Sequence, residues 1–178
     1  MRYYLVALFD DESYKNLNPI QRNLSKKYRA NRNSPIPYIP IEALENPNLD
    51  KLDLVVEKIL KPYKIFTVEV SNIACISEVN KTLNIKIEDI GYIKRLNRLM
   101  NDTLKLHGFN IRNYNNNDLN MHIALANLNY VAKDFKKSDD DNFSSTFNTL
   151  YVNRIELWKI SNNKKETLIK SYKLKEKF

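Results

Sequence analysis

Apolar residues in this chain change their spacing several times, and that alternation limits the fold more than any other feature. Strands put every second side chain on one face, whereas helices repeat every 3.6 residues. The run Tyr3-Tyr4-Leu5-Val6-Ala7-Leu8-Phe9 reads as a buried first strand. Asn18-Pro19 reads as a helix start, a capping side chain ahead of proline at the first helical position, with Ile20, Leu24 and Tyr28 on one stripe. An irregular extended piece follows. Asn46-Pro47 repeats the start signal before the stripe Leu49, Leu52, Val56 and Ile59, and Pro62 closes that helix.

From residue 65 the period shortens to two. Phe66, Val68 and Val70 alternate with polar neighbours, and Leu83, Ile85 and Ile87 form a second alternation. Ile93, Leu96, Met100 and Leu104 return to helical spacing, which Gly108 ends with a left-handed cap. The Asn-rich stretch 110–120 reads as a loop and 121–128 as a strand. A connection holding Asp139-Asp140-Asp141 and Ser144-Ser145 leads to a terminal hairpin of strands 151–160 and 168–174. Neighbouring strands on short turns, with helices between the groups, predict an α+β fold with antiparallel sheets.

Composition removes whole classes of function. The 178 residues include only two glycines, Gly91 and Gly108, too far apart for any Gly-rich phosphate loop. Cys75 is the lone cysteine, and His107 and His122 do not have the spacing of paired helical zinc ligands. No metal and no cofactor are therefore expected. No apolar run approaches the ~20 residues of a membrane span, so the expectation is a soluble protein with no membrane partner, and the single cysteine fits a reducing, cytoplasmic setting. Lys and Arg total 29 against 21 Asp and Glu, a net charge of +8 that favours anionic partners. The Lys-rich end of the chain reads either as a solvated face or as a surface that attracts phosphate.

One constellation carries chemistry. A helix ends in Leu106-His107-Gly108-Phe109, and after a loop a strand begins Met121-His122-Ile123-Ala124-Leu125-Ala126. Earlier, Pro37-Tyr38-Ile39-Pro40-Ile41 stands between the first strand and the second helix. This order resembles the 2H phosphoesterase superfamily, the 2′,5′ RNA ligase-like proteins and RNA 2′,3′-cyclic phosphodiesterases, over nearly the full length. The resemblance implies a bilobal α+β fold, with two antiparallel sheets flanking a central cleft and helices outside. It also implies one bilobal domain over 1–178, its first-motif half about 1–89 and its second about 90–178.

In that superfamily each half supplies a His-x-Thr/Ser pair to one phosphate, one imidazole acting as base and the other as acid. Here His122 keeps the second-motif His, while Ala124 stands where its hydroxyl belongs. Tyr38 stands at the first His position and Pro40 at the first Thr position. A phenol with a pKa near ~10 is a poor base at neutral pH, although it donates hydrogen bonds. His122 is thus the catalytic candidate, with Tyr38 and Arg112 as ligand contacts. The Lys94-Arg95-Arg98 cluster reads as a solvated helix face, and Tyr130 and Trp158 as packing. Three functions follow from this pattern. The first is a degenerate member that binds a nucleotide or RNA phosphate with little or no catalysis. The second is an active cyclic phosphodiesterase using His122 with an unrecognised partner, and the third is a non-catalytic protein scaffold.

Overall fold

The computed structural model describes residues 1–178 apart from 79, 113–120, 130–140, 144–146, 164 and 178, and apart from the side chains at 141 and 142. Tyr130, most of the Asn-rich loop and most of the Ser-rich connection lie outside the described residues. The elements run β1 (Arg2–Phe9), α1 (Asp11–Lys27), β2 (Ile39–Glu45), α2 (Leu49–Leu60), β3 (Phe66–Ser77), β4 (Thr82–Ile87), α3 (Gly91–Leu106), β5 (His122–Asn127), β6 (Asp141–Asn142), β7 (Thr149–Ile160) and β8 (Glu166–Lys173). The fold is α+β, and every strand pairing is antiparallel.

The strands follow the order β2-β1-β7-β3-β4-β5, with β8 beside β7 and β6 beside β3. Strand β7 pairs with β1 along most of its length. Its other edge serves two partners, β3 at residues 149–152 and β8 at 154–160. The two expected sheets are therefore continuous through the β3–β7 pairing. The ends of the order also meet, because Tyr38 and Ala124 exchange backbone hydrogen bonds of 3.2 and 2.7 Å just before β2 and within β5.

Both faces of β1 are buried, which explains its unbroken apolar run. Leu5, Ala7 and Phe9 enter the main core with Ile39, Ile123, Leu125 and the inner stripes of the helices. Val6 and Leu8 point the other way, into a small cluster with Trp158 against which Tyr4 and Tyr38 pack. The α3 stripe of Ile93, Leu96, Met100 and Leu104 is fully buried. That helix closes as expected: Gly108 has φ +81°, its N–H donates to Lys105 O, and the Phe109 N–H donates to Leu104 O.

Both helix starts read from Asn-Pro pairs need correction. Helix α1 begins eight residues before Pro19, where Asp10 accepts a 2.8 Å bond from the Ser13 N–H and Asp11 and Glu12 favour the positive end of the helix. Pro19 then lies inside the helix, where it removes one backbone donor, while Leu17 and Leu24 anchor both sides of it in the core. Asn48, not Asn46, caps α2 by accepting from the Lys51 N–H at 3.1 Å. Asn46 adopts a left-handed turn, φ +45°, and its Oδ1 accepts from the N-terminal ammonium at 2.8 Å.

Candidate functional site

An open cleft of about 1500 Å³ gathers the motif positions: Tyr38, Pro40, Arg112, His122 and Ala124 all line it. The Tyr38–Ala124 bridge is the reason. It joins the two motif strands in antiparallel sense, and position 40 therefore runs alongside position 122. Alternate residues share a face, which leaves Ile39, Ile123 and Leu125 buried in the main core on the opposite side.

His122 opens β5, is 8% exposed, and lies across from Lys86 of β4. Tyr38 is half-buried. Its ring meets Trp158 edge-on at 4.9 Å, and burial pushes its phenol well above the ordinary 10. The phenol therefore stays neutral and can donate a hydrogen bond, but cannot serve as a base. Trp158 itself is packing, with Nε1 donating to Glu156 Oε1 at 2.9 Å. Ala124 and Asn84 of β4 are cross-strand partners, so they share a face. Asn84 is 3% exposed and its Oδ1 accepts no hydrogen bond among the described residues.

Arg112 is exposed and held beside β2 by its own N–H, which donates to Ala43 O at 2.9 Å. Of the Lys94-Arg95-Arg98 cluster, Arg95 lies over the Tyr92 ring at 5.7 Å, whereas Arg98 lines the cleft. Helix α3 contributes a polar stripe, Asn97, Asn101 and Lys105, at successive four-residue steps. The rim carries Arg2, Lys81, Arg98, Lys105, Arg112 and Lys159, set against Asp102 and Glu166. His107 is elsewhere, exposed at the end of α3 with Nδ1 2.9 Å from Thr103 O.

Sequence reasoning missed Glu42. A bulge after Pro40 brings Glu42 opposite Leu5, so the carboxylate turns under α3, where the Asn101 Nδ2 donates to Oε1 at 2.8 Å. It is 6% exposed and lines the cleft floor. Burial raises its pKa from 4.5 to about 7, partly opposed by the Asn101 hydrogen bond and by Lys105. No local spacing signals it, because the bulge breaks the alternation that Tyr38 and Pro40 begin.

Solved structures with the same architecture fix the fold. TT0787 of Thermus thermophilus superposes with a TM-score of 0.68 over 100% of both chains at 15% identity. Escherichia coli LigT bound to 3′-AMP gives 0.64 over 97% of both chains at 13% identity. The fold is that of LigT. A phosphoesterase structure superposes on this chain with a TM-score of 0.61 over 98% of both chains at 12% identity. LigT has also been seen with NADP+, with ATP and with phosphate. No family model and no curated protein matches the sequence. Among the described residues, no group of three or more His, Cys, Asp or Glu could hold a metal, and no helix is long and apolar enough to cross a membrane.

Proposed function

We propose that the protein is a degenerate 2H phosphoesterase-like member that binds a nucleotide or RNA phosphate in this cleft, with little or no cyclic phosphodiesterase turnover. One observation carries the reading: the four motif positions line one basic cleft, yet they supply a single imidazole. Arg98, Lys105 and Arg112 would attract phosphate oxygens, His122 and the Tyr38 phenol would donate hydrogen bonds, and no hydroxyl stands at positions 40 and 124. LigT binds 3′-AMP, ATP and phosphate on the same scaffold, which supports the ligand class. A proton-transfer group is worth about 10²–10⁴-fold, so a site short of one imidazole is slow by the paired mechanism. The chain acts as one bilobal unit in this reading, because β7 from the second half lies between β1 and β3 of the first.

A second reading has its own support. Glu42 titrates near neutrality in the same cleft as His122, so the two together could exchange protons with a phosphoester. Hydrolysis of 2′,3′-cyclic nucleotides separates the readings. Negligible turnover by the wild type beside measurable 3′-AMP binding supports the binding protein. Turnover lost in both His122→Ala and Glu42→Gln replaces it with the enzyme.

A further inference from the structure

A second cavity of about 880 Å³ lies beside the cleft and is not used by anything above. It runs along the C-terminal half of α1 and the segment leading to β2. The two cavities share Pro35 as a common wall. They also share a floor, because Ala126 of the second cavity lies two residues beyond Ala124 on the same face of β5.

Its lining is one-sided in charge. Arg22, Lys26, Arg29 and Arg32 line it, all exposed, and no carboxylate is among the described lining residues. None of these four cations is held in an ion pair or side-chain hydrogen bond among the described residues. Opposite them, Ile36, 48% exposed, and half-buried Pro35 present apolar surface. The wall is built rather than loose. The Asn31 N–H donates to Asn127 O at 2.8 Å, the Asn127 N–H donates to Ser34 Oγ at 2.8 Å, and the Tyr14 hydroxyl donates to Pro37 O at 2.8 Å.

Helix polarity alone explains cations in the last turn, which covers Lys26. Arg22 lies a turn further in, and Arg32 lies past the helix. Arg29 sits in the turn that closes the helix. Tyr28 caps α1, Arg29 has φ +52°, and the N–H groups of Arg29 and Ala30 donate to Lys26 O and Ser25 O. This is the closing turn in which glycine is the favoured residue. A side chain there costs about 1 kcal/mol, as it does at Lys81, φ +51°.

We propose that the ligand is a single-stranded oligonucleotide rather than a lone nucleotide, its strand passing from the cleft over Pro35 into this second groove, where Arg22, Lys26, Arg29 and Arg32 hold the backbone. The proposal rests on the phosphate-binding reading of the cleft. A positively charged groove that tracks the backbone is one usual means of holding single strands.

The test compares 3′-AMP, by calorimetry, with a fluorescein-labelled 10-mer RNA, by anisotropy, on the full chain. The 10-mer should bind at least 10-fold more tightly than 3′-AMP. Arg22→Ala/Arg32→Ala should weaken the 10-mer about 10-fold, flatten its salt dependence by roughly 1.4 in log–log slope for two lost phosphate contacts, and leave 3′-AMP unchanged. Arg29→Gly should weaken the 10-mer while melting no lower than the wild type, a separation that damage to the fold would not produce. If 3′-AMP binds but the 10-mer gains nothing, or if the double variant binds the 10-mer normally, the groove proposal is overturned and the cleft reading stands. Failure of both ligands overturns the cleft reading. A polyglutamate peptide that displaces the 10-mer at equal charge concentration overturns the choice of nucleic acid.

Discussion

Replacing Glu42 by Gln isolates the most unusual ionisable group in the cleft. The carboxyl is nearly enclosed, with Asn101 as its hydrogen-bond partner at 2.8 Å, and its pKa rises from 4.5 to about 7. Between those values the folded state holds a proton that the unfolded chain has released. Stability therefore falls as pH rises from 4.5 through about 7, and stays at its lower level above that. At 1.36 kcal/mol per pH unit, the 2.5 units between 4.5 and about 7 amount to at most about 3 kcal/mol, reduced by whatever water reaches the cleft floor. Glutamine keeps an oxygen for Asn101 and cannot ionise. Urea unfolding of both proteins at pH 5 and pH 8 measures the difference, with all other titrating groups shared. At pH 5 the two should be nearly equally stable. At pH 8 Glu42→Gln should be more stable by up to about 3 kcal/mol, or roughly 6–12 °C in melting temperature for a chain of this size. A stability gap that is the same at both pH values would refute the reasoning.

The same charge should reach the ligand. Affinity for 3′-AMP should fall less between pH 6 and pH 8 in Glu42→Gln than in the wild type, as read by calorimetry. Restoring the motif residues with Tyr38→His, Pro40→Thr and Ala124→Thr should raise hydrolysis of a 2′,3′-cyclic nucleotide by about 100-fold or more, measured by product chromatography. Gly108→Ala meets no atom within 4 Å, so its cost is the left-handed backbone alone, φ +81°, about 1 kcal/mol and a melting temperature lowered by ~2–4 °C. Met100→Ala, in the fully buried stripe of α3, should cost about 2–5 kcal/mol in urea unfolding.

The fold was legible wherever burial is one-sided and periodic. Phe66, Val68 and Val70, or Ile93, Leu96, Met100 and Leu104, declare their inward faces because they are buried while none of their polar neighbours is. The motif strands were placed in the correct order for the same reason, since Ile39, Ile41, Ile123 and Leu125 keep the apolar half of the pattern. Helix starts were harder. Pro19 mimics a first-turn proline, and only the packing of Leu17 and Leu24 shows that the helix runs through it. Glu42 was hidden because a one-residue bulge changes which way β2 faces, and no local spacing announces a bulge. The rim contributed by α3 was hidden too. Arg98 and Lys105 resemble any solvated cations until the strand order sets α3 beside the cleft.

Calorimetric titration of the full chain with 3′-AMP, at 50 mM and 300 mM salt, tests the central claim most directly. Saturable binding at low salt, weakened at high salt and weakened again in Arg112→Ala, is the result that a basic phosphate-binding cleft predicts. No saturable binding at 50 mM salt, or binding indifferent to both salt and Arg112, would contradict it.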